Sequence, residues 1–194
     1  MNKFYFSFLL LVSLGLFSCQ ANNTSPNRSI NNTQQVNPKI PVNTEKFIID
    51  ENFSPIVGQI IYVPVYSHIY FMNKRRQYDL AANISIHNTD LETPIIIKSV
   101  KYYNSQGKVV ENYLAAPVKL NSFASTDFFI EVFDRRGGLG ANFLIEWVAE
   151  KKVSAPIVES VMVGTGGNQG ISFLTKGRVI KEHESNRHLQ REKN

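Results

Sequence analysis

The sequence predicts an all-β protein: a single antiparallel β-sandwich with a disordered N-terminal tether and a disordered, charged C-terminal tail. Three observations predict it. Residues 53–181 break into β-branched, aliphatic and aromatic segments separated by turn signals, with no sustained helical period. Several segments alternate apolar and polar residues, as a strand does with one face inward and one outward. The flanking segments carry too little apolar surface to offset the entropy of ordering them.

Taken in order, strands are expected at 56–71, 80–88, 95–103, 108–114, 126–133, 141–149 and 156–163, with a short last one at 171–174. The breaks are Asn88-Thr89-Asp90, Asn104-Ser105-Gln106-Gly107, Asp134-Arg135-Arg136-Gly137-Gly138 and Gly164-Thr165-Gly166-Gly167. Strands and turns at this spacing suit two packed antiparallel sheets. In 80–88, Leu80, Ala82, Ile84 and Ile86 share one face, against Asn83, Ser85 and His87. Phe128, Ile130 and Val132 repeat the pattern around Glu131. In 141–149, Phe143, Ile145 and Trp147 share a face opposite Asn142 and Glu146, and Trp147, the only tryptophan, is expected to anchor the core.

The N-terminus carries an address. Met1-Asn2-Lys3 is a short basic region, and residues 4–17 are an apolar run too short for a membrane-spanning helix of ~20 residues. Leu16, Ser18 and Cys19 resemble a bacterial lipobox, with Cys19 as the lipidated residue. That resemblance implies cleavage before Cys19 and fatty acyl (palmitate-type) modification, and two or more chains hold a protein stably on a membrane. The alternatives are an ordinary cleaved signal peptide or a chance cysteine in an apolar run. In enteric-type sorting, Gln20 after the cysteine implies the outer membrane, facing the periplasm or the surface. Cys19 is the only cysteine, so its lipidation leaves no thiol for a disulfide, a zinc site or a nucleophile.

The expected organisation is a signal peptide at 1–18, a lipidated flexible tether at 19–52, the sandwich at 53–181 and a charged tail at 182–194. A tether of Asn, Gln, Ser, Thr and Pro has a reach of roughly 30 Å. The net charge of +5 gathers towards the C-terminus, where Lys176, Arg178, Lys181, Arg187, Arg191 and Lys193 face Glu182, Glu184 and Glu192. That stretch reads as a solvated, frayed end, or as a salt-sensitive contact to anionic headgroups or peptidoglycan. Nucleic-acid binding is not expected of an exported chain with so modest a charge.

Four stretches carry a family resemblance. They are Tyr62-Val63-Pro64-Val65-Tyr66-Ser67-His68-Ile69-Tyr70, Ser85-Ile86-His87-Asn88-Thr89-Asp90, residues 137–147 and Gln169-Gly170-Ile171-Ser172-Phe173. Together, over about 56–180, the chain resembles an uncharacterised bacterial family catalogued as domain of unknown function 3124. The family brings no assigned activity. Residues 84–88, 95–103 with Gly107, and 120–128 look more loosely like immunoglobulin-like accessory domains of envelope proteins. That analogy implies an immunoglobulin-like sandwich and supplies no function.

The candidate binding edge is the first long strand. Tyr62, Tyr66, His68 and Tyr70 form an aromatic-polar face, and Pro64, lacking an amide donor, favours an edge or a bulge. Such an edge stacks a sugar or peptide, or adds a partner's strand. The alternative is that these tyrosines cover a second layer of the fold. A metal site needs His68 and His87 to converge with Asp79, Asp90 or Asp134, and no ligand spacing enforces that. Ser67, Ser125 and the Gly164–Gly170 stretch lack the motifs of a nucleophile or a phosphate loop. Asp134-Arg135-Arg136 reads as a hairpin tip or an anion site.

The expectation is therefore a non-enzymatic, envelope-anchored lipoprotein whose sandwich binds a protein or glycan or plays a structural role. No catalytic residue, metal or small-molecule cofactor is expected. The alternative is an envelope hydrolase or metal-dependent enzyme using His68, His87 and nearby carboxylates.

Overall fold

The computed structural model of the chain describes residues 41–166 and 169–184. Among the described residues there are thirteen strands and no helix. In chain order they are β1 (Thr44–Lys46), β2 (Val57–Pro64), β3 (His68–Phe71), β4 (Arg76–Asp79), β5 (Ala81–His87), β6 (Ile95–Tyr103), β7 (Val109–Asn112), β8 (Val118–Leu120), β9 (Ser125–Ile130), β10 (Asn142–Ala149), β11 (Ile157–Gly166), β12 (Gln169–Lys176) and β13 (Arg178–Glu184).

These strands form two main sheets, one ordered β1-β8-β6-β10-β2-β13 with β7 also on β6, the other β12-β11-β5-β9. A separate ribbon pairs β3 with β4. Every pairing is antiparallel. The chain is thus the all-β antiparallel sandwich that the alternation predicts.

The inner faces follow sequence parity. Leu80, Ala82, Ile84 and Ile86 from one sheet pack with Ile61, Val63, Phe143, Ile145 and Trp147 from the other in one buried cluster. Trp147 is a core anchor as expected, its indole N–H donating to Gln59 Oε1 at 3.2 Å. A bulge opposite Glu146 and Trp147 leaves Lys98 out of the ladder, and Lys98 forms a 2.6 Å ion pair with Glu146 instead. The stacked rings of Tyr102 and Phe143 fill the centre, 5.2 Å apart.

Several boundaries differ from the sequence reading. The expected strand at 56–71 is two strands: Val65 N still donates to Ala141 O, one step beyond the β2–β10 ladder, and the chain then turns away, Leu80 N donating to Ser67 O as β3 and β4 fold out. The stretch assigned to a tether includes β1, paired with β8, and an edge-to-face contact of Phe47 on Phe53. The stretch assigned to a frayed basic end includes β13, paired with β2 from Arg178↔Tyr62 to Glu184↔Val57. β13 is held by backbone bonds with its described side chains exposed, so it lacks the apolar alternation that marks a strand. Gly177 makes the step from β12 in one sheet to β13 in the other. A Cβ there would lie 2.6 Å from Ile61 Cγ2, so only glycine lets the corner approach the core.

A groove at the open side of the sandwich

The expected aromatic edge does not exist as one surface. Tyr62 lies in an internal strand, opposite Leu144 of β10 and Arg178 of β13, so β13 removes the free edge it was expected to display. Pro64 sits beyond the end of the β13 ladder, where a missing amide donor breaks no bond, and its carbonyl accepts from Thr175 Oγ1 at 2.6 Å. Tyr66 is half-buried against Phe173 of β12, with ring centroids 6.0 Å apart. His68 is only 7% exposed, meets Tyr70 edge to face, and has no hydrogen-bond partner on either ring nitrogen. Of the four, Tyr70 is the open one, at 43% exposure.

The histidines do not converge. His68 faces Asp79 across the ribbon, next to the start of β5, whereas His87 ends β5, about 20 Å further along at the usual rise of a strand. Among the described residues no group of three or more His, Cys, Asp or Glu side chains stands ready to hold a metal ion. The carboxylates considered as ligands are each engaged elsewhere. Asp79 is held by Arg135 at 2.6 and 2.8 Å and by Gln77, and the guanidinium draws its carboxyl below the ordinary value. Asp90 accepts the backbone N–H groups of Ser154, Glu92 and Thr93, which lower its pKa. Asp134 accepts from Arg136 at 2.7 and 2.9 Å and is lowered by it. Arg136 reaches Glu111 as well, so both arginines of the expected anion site already face carboxylates. Ser67 Oγ bonds Tyr102 Oη at 3.0 Å rather than a histidine.

The cavity lies on the opposite side of the smaller sheet from β12. Among the described residues β9 is the edge strand there, paired only with β5. Asn88 N donates to Ala124 O, and bonding alternates along an antiparallel ladder, so Ser125, Asp127 and Phe129 turn their backbone groups away from β5. Two side chains meet that edge. Asn43 Nδ2 donates to Ser125 O at 3.2 Å, and Tyr113 Oη donates to Phe129 O at 3.1 Å. The backbone of Asp127, between them, has no partner among the described residues, and Asp127 lines a groove of about 900 Å³.

Apolar and acidic groups line this groove. Tyr113 forms its floor, packed edge to face on Phe128 at 5.6 Å and tilted on Phe143 at 5.3 Å, so it bridges the two sheets. Burial of Tyr113 raises its pKa well above the ordinary phenol value, and the Glu111 charge adds to this. Phe129 is 48% exposed and Phe133 71% exposed on the walls. Phe133 also holds a positive φ of 77°, a conformation unfavourable for a bulky residue, fixed by the Asp134 N to Glu131 O turn. Four carboxylates, Glu111, Asp127, Glu131 and Asp134, line the groove against one guanidinium, Arg136.

Residues 58–180 match the family model described as "Protein of unknown function (DUF3124)". The chain belongs to that family. No curated protein matches it. Among solved structures, the crystal structure of Thermotoga maritima 1070 is similar, at 12% identity and a TM-score of 0.41, over 65% of this chain and 96% of that one.

The DUF3124 match takes in Tyr113, β9 and Arg136 and leaves out Pro41 and Val42, which line the mouth. The family region therefore contains the groove's floor and acidic wall. Sequence reasoning missed this site in the DUF3124 chain because its parts come from separate segments, 41–42, 111–113 and 127–136, that meet only when the sheets pack. One signal was present: in Phe128-Phe129-Ile130-Glu131-Val132-Phe133, Phe129 falls on the solvent face of a strand whose core face is already filled by Phe128 and Ile130. The strand ends at Ile130, so Val132, expected on the core face, is exposed.

Proposed function

We propose that this DUF3124 protein is a bacterial envelope lipoprotein, anchored through lipidated Cys19, whose sandwich binds a partner in the groove beside β9 without chemical turnover. The observation that carries the binding role is that groove. It places exposed Phe129 and Phe133 beside the backbone N–H and C=O of Asp127, which have no partner among the described residues, and such aromatic surface beside free backbone groups suits recognition of a protein or glycan. The anchor rests on the lipobox resemblance at Leu16, Ser18 and Cys19, which lie outside the described residues. On this reading the protein faces the periplasm or the surface from the outer membrane.

Cross-linking pull-down from envelopes tests the binding role. Partner recovery is expected to fall with Phe133→Ala and to persist with the Tyr66→Ala/Tyr70→Ala pair; an identical partner set in all three removes the groove from consideration. Acyl labelling tests the anchor. Cys19→Ser is expected to abolish labelling and release the chain from membranes, and membrane retention without labelling defeats the lipoprotein reading.

A further inference from the structure

Resting on that binding reading, we infer that the groove takes an extended peptide strand that adds antiparallel to β9 and carries basic residues alternating with apolar ones. The backbone supplies the first half of the argument. Asp127 directs both N–H and C=O into the groove, and neither has a partner among the described residues. A residue placed opposite Asp127 in an antiparallel pair exchanges two backbone bonds with it. Strand addition to an exposed sheet edge is a recurring way to recognise an extended chain.

The side chains supply the second half. Residues on β9 alternate: Thr126, Phe128 and Ile130 point into the sandwich, while Ser125, Asp127 and Phe129 point out. An added strand inherits this alternation. Its side chain opposite Asp127 lies beside that carboxylate and diagonal to Phe129, where Lys or Arg finds an opposite charge and an aromatic face. Its next side chains point inward over Tyr113 and Phe128, where apolar groups suit the floor. Asp127 and Glu131 form no ion pair within the described residues, so their charge is open to a cation. The chain as a whole is net positive, at +5, so this acidic wall is a local reversal and not the general surface field.

The test uses the purified full chain in detergent and fluorescent nine-residue peptides read by anisotropy. A peptide alternating Lys and Val is expected to bind, and its Glu–Val counterpart to bind at least about tenfold more weakly. Asp127→Asn/Glu131→Gln is expected to weaken the Lys–Val peptide by about tenfold, with unchanged circular dichroism. N-methylation of the lysines is expected to abolish binding, and N-methylation of the valines to leave it, because only the residue opposite Asp127 donates to β9 in an antiparallel pair. Equal binding of the acidic peptide, or tolerance of both N-methyl series, overturns the proposal. So does exchange protection of the Asp127 amide in the unliganded chain that is lost on deleting residues 20–40, which assigns the edge to the chain's own segment. A concentration-dependent dimer broken by the double variant overturns it in favour of a second copy. If no peptide binds while Phe133→Ala still abolishes partner capture, strand addition fails and the binding role stands.

Discussion

The hydroxyl of Tyr113 donates to the carbonyl of Phe129 at 3.1 Å, joining the segment after β7 in one sheet to the outer edge of β9 in the other. The ring beneath that hydroxyl packs on Phe128 and Phe143, one from each sheet. Tyr113 therefore closes the sandwich on its open side and at the same time shapes the groove floor. Tyr113→Phe keeps the ring and loses the bond, and is expected to lower stability by about 1 kcal/mol. Tyr113→Ala empties the junction as well, and is expected to lower it by about 3–5 kcal/mol. Urea unfolding followed by tryptophan fluorescence checks both. Equal losses for the two variants contradict the bridging role.

Burial raises the pKa of Tyr113 and of Tyr102. For a group whose folded pKa is raised, the stabilisation is complete below the unfolded value, near 10 for a phenol, and is lost as pH rises through the folded value. Stability is therefore expected to fall above about pH 10. Spectrophotometric titration is expected to show phenols that ionise only as the protein unfolds, fewer by one in Tyr113→Phe. Smooth titration of all tyrosines near pH 10 in the folded protein contradicts the burial.

The acid limb has the opposite sign. Arg136 draws the carboxyl of Asp134 down, as Arg135 does that of Asp79. Their contribution is present above the unfolded value, near 3.9, and is lost as pH falls through the folded values. Acid unfolding is expected below about pH 4, and Asp134→Asn is expected to flatten that limb while leaving the alkaline limb unchanged. A pH profile of denaturant midpoints separates the two.

Gly137 is required by contact. A Cβ there would overlap Tyr102 Oη and lie 2.6 Å from Ala141 Cβ. Gly137→Ala is expected to destabilise by about 1–3 kcal/mol, and Tyr102→Phe in the same chain to restore part of that loss. Additive losses in a double-mutant cycle argue against the contact.

Phe133 holds φ at 77° with its ring displayed at the groove wall. Phe133→Gly is expected to raise stability by about 0.5–1 kcal/mol through relief of strain, while lowering partner capture. Thermal melts and pull-downs on the same preparations check the two effects together. Reduced stability with unchanged capture contradicts a functional display of this ring.

The core was legible because burial leaves a period of two. The Leu80–Ile86 alternation and the Phe143, Ile145, Trp147 face are read from sequence with the correct side inward. Strand order was not legible, because alternation says which face a residue takes and not which strand lies beside it. That is why Tyr62 read as an edge residue when β13 covers it. β13 itself was hidden by its charge, since an exposed edge strand needs only backbone bonds. The groove was hidden for a third reason: Tyr113, Asp127 and Arg136 meet only after the sheets pack. Of its features, only the second phenylalanine of Phe128-Phe129 breaks the local pattern.

Site-specific photo-cross-linking in intact envelopes tests the central claim most directly. A photoreactive phenylalanine analogue is placed at position 129 in one full-length chain and at position 70 in another, both on exposed side chains. The account predicts a discrete adduct from position 129 that is lost with Asp127→Asn/Glu131→Gln, and none from position 70. An adduct from position 70 alone, or none from position 129, contradicts the groove as the binding surface.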